Sequence, residues 1–567
     1  MKNHLLSVLS RSLFYKHRII PCVYESISVR HFSDKKDGSN PGDQESSNDK
    51  DTIRTDSTAS GQPTRDLTTQ ESKVADPHKA LKETTNRYSF NDAEAPSGYV
   101  DPAKTDEHYH IKRAMRILKL DFQKLWRNVQ DPESRYQGNT LFPTHVDILI
   151  IGGGAIGSSI AYFIKEKVLD GCRVAVVDRD FTYARASTTL SVGGLRQQFS
   201  LRENIEMSLF GAEFLRNIKH HCHVIGEDEP DVNFTPNGYL FCASQDGAAT
   251  LEKNHQLQKE LGAKNVLLGP EQLKAKFPWL NTDDIALACL GLEKEGWFDP
   301  WLYLNAVKKK AISLGAEYVR GEVVDFLRRR NNQVHYEGYD DGEYHSVNEC
   351  VVRDEKGELK TITFAICVIA AGAYSGQVAR MLKIGDKNQE QGFLFVPLPV
   401  EPRKRYVYCF ESPRGPGVNT PMVVDTTGTY FRREGLGNYY ICGKSPTPEQ
   451  EPPVDNLDVD YEYFNENVWP HLAHRVKAFE ELKVSNAWAG YYDYNYFDEN
   501  AIIGLHPSYH NIHFATGFSG HGIQQAPAIG RAVSELILDA EFKTIDLSRF
   551  LLERVARRQE AREVNIV

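Results

Sequence analysis

Apolar and polar positions alternate along this chain in two distinct periods. Val146-Asp147-Ile148-Leu149-Ile150-Ile151 is a nearly unbroken apolar run. Such a run fits a strand buried on both faces of a parallel sheet. Glycines follow at 152, 154 and 157, and the period then lengthens to that of a helix reaching about Leu169. The window from His145 to Ile164 approaches bilayer-spanning length, but its glycines argue for a turn between strand and helix. Arg173 to Val177 predicts a second strand, ending in Asp178. Far downstream, Ile512 to Thr516 predicts another strand. It runs into Gly517-Phe518-Ser519-Gly520-His521-Gly522-Ile523 and a helix from about Gln524 to Leu538. Pro527 falls in the first turn of that helix, where proline is tolerated. Upstream of all these, Ile111, Met115, Leu118, Phe122, Leu125, Trp126 and Val129 recur at spacings of three and four, with six Lys or Arg between them. A basic amphipathic helix of this kind suits an anionic membrane surface or the flank of a neighbouring domain, and the flank is the commoner use.

Charge divides the chain more sharply. Residues 1–33 hold five Lys or Arg against the single acid Glu25. This reads as a mitochondrial transit peptide, with a processing site near Val29-Arg30-His31-Phe32-Ser33. Residues 34–110 hold ten basic and sixteen acidic residues, and only nine of the 77 positions are Ile, Leu, Val, Phe or Tyr. So little apolar surface cannot offset the entropy of ordering, which predicts a disordered linker. Over the 567 residues a net charge of −10 excludes a nucleic-acid binder that works through a global basic field. Nine cysteines, none in a C-x-x-C pair, exclude a disulfide scaffold and a zinc ribbon. His220-His221-Cys222-His223 lacks a second ligand pair, so no metal is assigned. Arg328-Arg329-Arg330 before Asn331-Asn332 predicts a solvated hairpin turn.

Strand, Gly152-x-Gly154-x-x-Gly157, helix, strand and acid, in that order, make a dinucleotide fingerprint. The first glycine permits the tight turn, the second lets a pyrophosphate approach, and the third lets helix pack on strand. Asp178 follows Gly157 by 21 residues, placed to accept from both ribose hydroxyls of an adenosine. The fingerprint does not separate NAD from FAD. The second strand–glycine–helix unit, some 365 residues further on, favours a long cofactor that spans both. An NAD-dependent dehydrogenase would not need it. Aimed at a flavin N1–C2=O edge, this helix start would stabilise the anionic reduced ring.

Gly152-Gly153-Gly154-Ala155-Ile156-Gly157, Ala370-Ala371-Gly372-Ala373-Tyr374-Ser375 and Gly517-Phe518-Ser519-Gly520-His521-Gly522 resemble three blocks of the glycine/D-amino-acid oxidase superfamily of FAD enzymes. That superfamily includes sarcosine oxidase and dimethylglycine dehydrogenase. Ser191-Val192-Gly193-Gly194, KFPWLNT from Lys276, EGWFDPW from Glu295 and WAGYYDYN from Trp488 resemble a mitochondrial branch tied to assembly of respiratory complex I. The resemblance implies an α/β fold in which a doubly wound, Rossmann-like FAD domain is interrupted by an antiparallel-sheet substrate domain. It assigns 145–235, 290–380 and 495–540 to the first and 236–289 and 381–494 to the second, where Arg405–Phe410 and Gly437–Gly443 look like strands. Residues 111–144 become the basic helix and a connector, and 541–567 a C-terminal helical tail.

The same resemblance implies non-covalent FAD held by Gly152, Gly154, Ala155, Ile156, Gly157, Asp178, Arg179, Gly193, Gly194, Val323, Ala371, Gly372, Gly517, Gly520, His521, Gly522 and Ile523. Arg432 or Arg433 becomes the candidate ligand for a substrate carboxylate. Tyr491, with Tyr492, Tyr494 and Tyr496, becomes an aromatic wall for an ammonium. His521 becomes a donor near the flavin, and Gln524 stands where sarcosine oxidase has a carboxylate-binding lysine. Tyr440 stands where relatives carry an oxygen-activating lysine, which favours a dehydrogenase over an oxidase. Relatives that bind flavin covalently use a cysteine or a histidine at positions that match Tyr491 and Thr189-Leu190-Ser191 here; Cys442 and His521 are the nearest alternatives. The implied function is a mitochondrial matrix FAD oxidoreductase acting on the C–N bond of a small amine or amino acid. The alternative is a catalytically vestigial flavoprotein that binds complex I subunits. A peripheral inner-membrane association is left open by the basic helix.

Overall fold

The computed structural model describes residues 142–330, 345–386 and 393–564, together with Ile111, Met115, Leu118 and Phe122 of an N-terminal helix. The predicted leader, the linker and most of the basic helix lie outside the described residues. The four helical positions stand 62–65 % exposed, against the expectation that the apolar stripe is buried on the neighbouring domain.

The first sheet has seven strands: β1 (His145–Ile151), β2 (Val174–Asp178), β3 (Glu317–Arg330), β4 (His345–Asp354), β5 (Leu359–Ile369), β6 (Ile502–His506) and β7 (Tyr509–Thr516). β1 lies parallel between β2 and β5, with Ile150 opposite Val176 on one side and Val368 on the other. β7 adds in parallel to β5, and β6 closes that edge antiparallel to β7. β3, β4 and β5 form an antiparallel meander whose first strand returns beside β2. The unbroken apolar run of β1 is explained by cover on both faces, since Leu149 and Ile150 are fully buried in two different cores. One core packs α1 (Ala155–Val168), α2 (Arg202–Arg216), α3 (Pro300–Ser313) and α4 (Gly522–Asp539) on the sheet. Arg328-Arg329-Arg330 is not itself the turn: it ends β3, with Arg329 opposite Ser346 and paired to Glu349 at 2.5 Å, and Asn331-Asn332 lie outside the described residues.

The second sheet is built from the two segments between these strands. Its order is Lys483–Asn495, Val400–Glu411, Tyr439–Gly443, Tyr430–Glu434, Met422–Val424, Tyr239–Ala243, Leu287–Gly291 and Asn265–Leu268. Every pairing in it is antiparallel except Met422–Val424 beside Tyr239–Ala243. The tail after α4 is not the predicted helix. Among its described residues it holds only the short helical turns Ser548–Phe550 and Glu553–Ala556. Its apolar residues Ile545, Leu547, Phe550 and Leu552 are spaced by two and three and are buried on the domain, a pattern no single helix face offers.

Candidate functional site: a dinucleotide cavity with a buried arginine

One cavity of about 1370 Å³ runs past the carboxyl ends of β1, β2, β5 and β7 and along the antiparallel sheet. A single small ligand takes ~300–1,000 Å³, so this volume suits a long cofactor with room beside it.

The glycine turn after β1 shapes its floor. Gly152 has a φ of +101°, and a Cβ there would lie 2.2 Å from the Ala370 carbonyl oxygen. At Gly157 a Cβ would lie 1.8 Å from the Gly152 carbonyl oxygen, and that residue packs behind the cavity without lining it. At Gly154 a Cβ would meet only Thr188 Oγ1, 3.1 Å away, so this glycine faces the open space. α1 starts without a side-chain cap and without an acid in its first turn. Its first N–H, on Ala155, donates to Thr188 Oγ1 at 3.0 Å, and the helix start opens on the cavity at Gly154, Ala155 and Ile156. This is the geometry that binds phosphate.

Asp178 ends β2 on the same side. Its Oδ2 accepts from Gly153 N at 2.7 Å and its Oδ1 from Asp180 N at 2.9 Å. Both oxygens keep a lone pair for a ribose hydroxyl. Burial pushes its pKa up, with those two N–H groups opposing the shift. Arg179 lies 3.9 Å from the centroid of the Tyr374 ring, and Val323, Ala371 and Gly372 line the wall nearby.

The opposite end is formed by the turn after β7. Gly517 (φ +76°), Ser519 (+47°) and Gly520 (+94°) all take left-handed conformations. Asp493, from the second sheet, clamps the turn by accepting from Gly517 N at 2.7 Å and Phe518 N at 3.1 Å. Burial raises the Asp493 carboxyl to about 6. α4 then starts, again with no side-chain cap and no acid in its first turn. Gly193, Gly194, Gly520, His521, Gly522 and Ile523 line this end, whereas Gly517 stands behind it. Two acid-free helix starts open on one cavity with a ribose-facing carboxylate beside the first, and these residues fit FAD.

The catalytic candidates fare differently. Arg432 and Arg433, adjacent on a strand, point to opposite faces, and neither lines the cavity. Arg432 donates through Nε and Nη2 to the Val192 carbonyl (3.1 and 2.9 Å) and through Nη1 to Glu434 (2.5 Å). Arg433 donates to the carbonyls of Pro416 (3.2 Å) and Leu436 (3.0 Å). Both are structural, so neither is the carboxylate ligand. Tyr440 is fully buried against Phe410 and Phe479 with its hydroxyl on the Pro416 carbonyl, away from the cavity. The argument from it for a dehydrogenase falls with its placement. Tyr491 borders the cavity, but its hydroxyl serves the carbonyls of Val454 and Asn456 at 2.8 and 2.9 Å. Arg405 and Arg403 cover the rings of Tyr492 (4.9 Å) and Tyr494 (4.5 Å), and both arginines pair with Glu451. One face of each of those two rings is thus already taken by an arginine, while Tyr492, Tyr494 and Tyr496 all still line the cavity. His221 stacks on Phe214 at 4.6 Å and Cys222 is buried, so those two pack into the core, whereas His220 and His223 are exposed.

Gln524 and His521 do meet at the cavity, around a residue the sequence does not single out. Arg196 N donates to Gln524 Oε1 at 2.9 Å, and Arg196 Nη2 meets His521 Nε2 at 2.9 Å. The Arg196 guanidinium lies over the rings of Phe199 (4.7 Å) and Phe241 (4.6 Å) and lines the cavity. Its only sequence signal is the Gly193-Gly194 pair two residues before it.

Doubly wound sheet, interrupting antiparallel sheet and paired helix starts together define a flavin-dependent oxidoreductase. The chain belongs to the DAO family of FAD dependent oxidoreductases, whose pattern matches residues 147–536. It is 49 % identical to a Xenopus laevis protein named FAD-dependent oxidoreductase domain-containing protein 1, over 80 % of this chain and 92 % of that one. It is 22 % identical to the mitochondrial sarcosine dehydrogenase of Mus musculus, over 72 % of this chain and 42 % of that one. The crystal structure of L-proline dehydrogenase from P. horikoshii superposes with a TM-score of 0.60 at 24 % identity, covering 74 % of this chain and all of that one, a likeness of fold.

Proposed function

We propose that the protein oxidises the C–N bond of a small amino acid whose carboxylate is held by Arg196. The burial of that guanidinium, 6 % exposed and facing the cavity, carries this reading. No carboxylate hydrogen-bonds to it among the described residues, and its close polar partners are neutral. Burial first, and then Arg196 itself, push His521 down to about 3. Since arginine has no acceptor, His521 Nε2 accepts and the ring proton sits on Nδ1. A buried cation whose hydrogen-bond partners are neutral attracts a carboxylate, which a guanidinium can hold through two parallel bonds. Tyr239, Met422, Val424 and Tyr430 line the wall beside it and suit an apolar α-substituent. FAD, when bound, supplies a two-electron acceptor; the chain binds the carboxylate, orients the α-carbon and excludes water. The oxidised product is an imine, which water hydrolyses. The names of the similar proteins, sarcosine and L-proline dehydrogenases, support a secondary amine next to a carboxylate.

Anaerobic titration of the FAD-loaded protein with N-methylglycine, L-proline and the same amines lacking the carboxyl group tests this. The amino acids should bleach the flavin and the simple amines should not, and Arg196→Met should weaken the response about tenfold or more, as loss of a charged hydrogen bond does. Equal bleaching by the simple amines, or an unchanged Arg196→Met titration, would count against it. The basic leader supports a matrix location. A role in assembling complex I is supported by Val418, Leu436 and Tyr439, exposed apolar side chains near one hairpin tip; an Arg196→Met protein that still sustains complex I content would favour that role over turnover.

A further inference from the structure

The segment Arg196–Leu201 presents the cation of the cavity yet has little backbone ladder of its own, for its strand pairing ends at Leu195 opposite Gly296. Side chains from distant parts of the chain take over. From one side Glu295 accepts from Gln197 N at 3.1 Å and Gln198 Nε2 at 2.8 Å. From the other, Glu563 accepts from Ser200 N at 2.5 Å, from Leu201 N at 3.3 Å and from the Ser200 hydroxyl. Glu563 also accepts from Asn204 Nδ2 at 2.6 Å, in the first turn of α2. Asn204 Oδ1 accepts from Gln525 Nε2 at 3.1 Å, and the next residue back, Gln524, takes the Arg196 N–H. Glu563 therefore reaches Arg196 by two routes, along the backbone and through Asn204 and Gln525.

We propose that Glu563 is a positioning residue that holds the Arg196 guanidinium aimed into the cavity without touching substrate or cofactor. Glu563 is itself 7 % exposed. The tail that carries it is pinned by Arg554 on Asp498 at 2.7 Å, both buried, and by Ala561 N on Asp498 Oδ2 at 3.0 Å. An amide at 563 would set its NH₂ against donors on one side or the other, because both carboxylate oxygens already accept.

The inference rests on Arg196 being the anion-binding cation, so the test measures both residues. Full-length FAD-loaded protein is compared with Glu563→Gln, Ser200→Ala and Arg196→Gln for cofactor content, flavin midpoint potential and benzoate affinity from the flavin absorbance. Amide exchange over 196–201 is followed in the absence of FAD. Glu563→Gln should keep its FAD, lower the potential in the direction that Arg196→Gln does, weaken benzoate about fivefold, and speed exchange as far as Gln197. Ser200→Ala, which removes one donor and folds more securely, should show the same changes at smaller size. If Arg196→Gln shifts potential and benzoate binding while Glu563→Gln and Ser200→Ala shift neither, the positioning role is overturned and the reading of Arg196 stands. If Arg196→Gln shifts neither, the reading of Arg196 fails and the inference falls with it.

Discussion

Glu295 is 1 % exposed, and among its neighbours Gln197 and Gln198 offer it only neutral amide donors. Burial raises it to about 8, with Gln198, Gln197 and Arg196 opposing the shift. An unfolded glutamate titrates near ~4.3, so folding takes up a proton here, and stability falls as pH rises from about that value toward 8. Gln198 Oε1 has no partner as oriented. Turning that amide over would let it accept the Glu295 proton, and would equally satisfy an amide at 295. Glu295→Gln should accordingly melt close to the native protein at pH 5 and above it at pH 8, with the gap widening between. A gap that is flat across this range, or that narrows, would show that Glu295 is ionised in the fold. Legibility at this scale follows from locality. Gly152, Gly154 and Asp178 were readable because each answers to a turn or a strand end within a few residues. Arg196 was not, because its chemistry depends on which carboxylates fail to reach it. Arg432 and Arg433 misled for the converse reason: the carbonyls that occupy them come from residues 192, 416 and 436.

Helices α1 and α4 bring the two halves of the cofactor cradle together, and they pack along each other with one very close approach at Gly530. A Cβ on Gly530 would lie 2.6 Å from the Ser159 carbonyl carbon and 2.7 Å from its Cβ, largely backbone that cannot step aside. Removing a helical glycine returns roughly 1 kcal/mol of propensity, whereas overpacking a tight contact costs about 1–3 kcal/mol. A branched side chain here should tip the balance to a loss. Gly530→Val is expected to lower the melting temperature of both FAD-free and FAD-loaded protein and to weaken FAD binding, with Gly530→Ala milder in each. Thermal melts and a fluorescence titration with FAD check this, and a Gly530→Val protein as stable as the native one would place the crossing elsewhere. Both helix starts were legible, since strand, glycines and helix follow one another without a gap. The arginine triplet was not: a strand that carries charge on its solvated side looks like a turn until its partner strand is known. The tail misled through its apolar content, which packs as an extended strap.

The cavity draws its walls from across the chain, from Ile151 to Gln524, so distant segments would share the hold on a cofactor. Among the described residues no cysteine lines it, and His521 is its one histidine. Cys442 is fully buried in the core of the second sheet. FAD should therefore be held without a covalent bond. Acid precipitation of the purified protein should release all the yellow chromophore to the supernatant. Flavin retained in the pellet would point to the His521 imidazole. The division into a parallel and an antiparallel sheet was legible from strand composition together with family resemblance. What could not be read was the seam between them, since Asp493 clamping Gly517 and Arg403 covering Tyr494 are contacts of tertiary structure only.

The strap that ends at Glu563 also has a history in time. A ribosome finishes residues 498–564 only after it has made everything they hold. The first strand–glycine–helix unit must then wait, with its anion site open, for a partner several hundred residues behind it. Contacts of such separation close slowly, because loop entropy is lost before any packing is gained. Chains stalled short of Gly517 should hold a folded β1–α1 unit and no flavin, and those stalled between 540 and 560 should bind flavin with Arg196 unanchored. Maturation of the site is thus timed by the arrival of the strap, and FAD enters in the short interval between completion of α4 and closure of the last clamp.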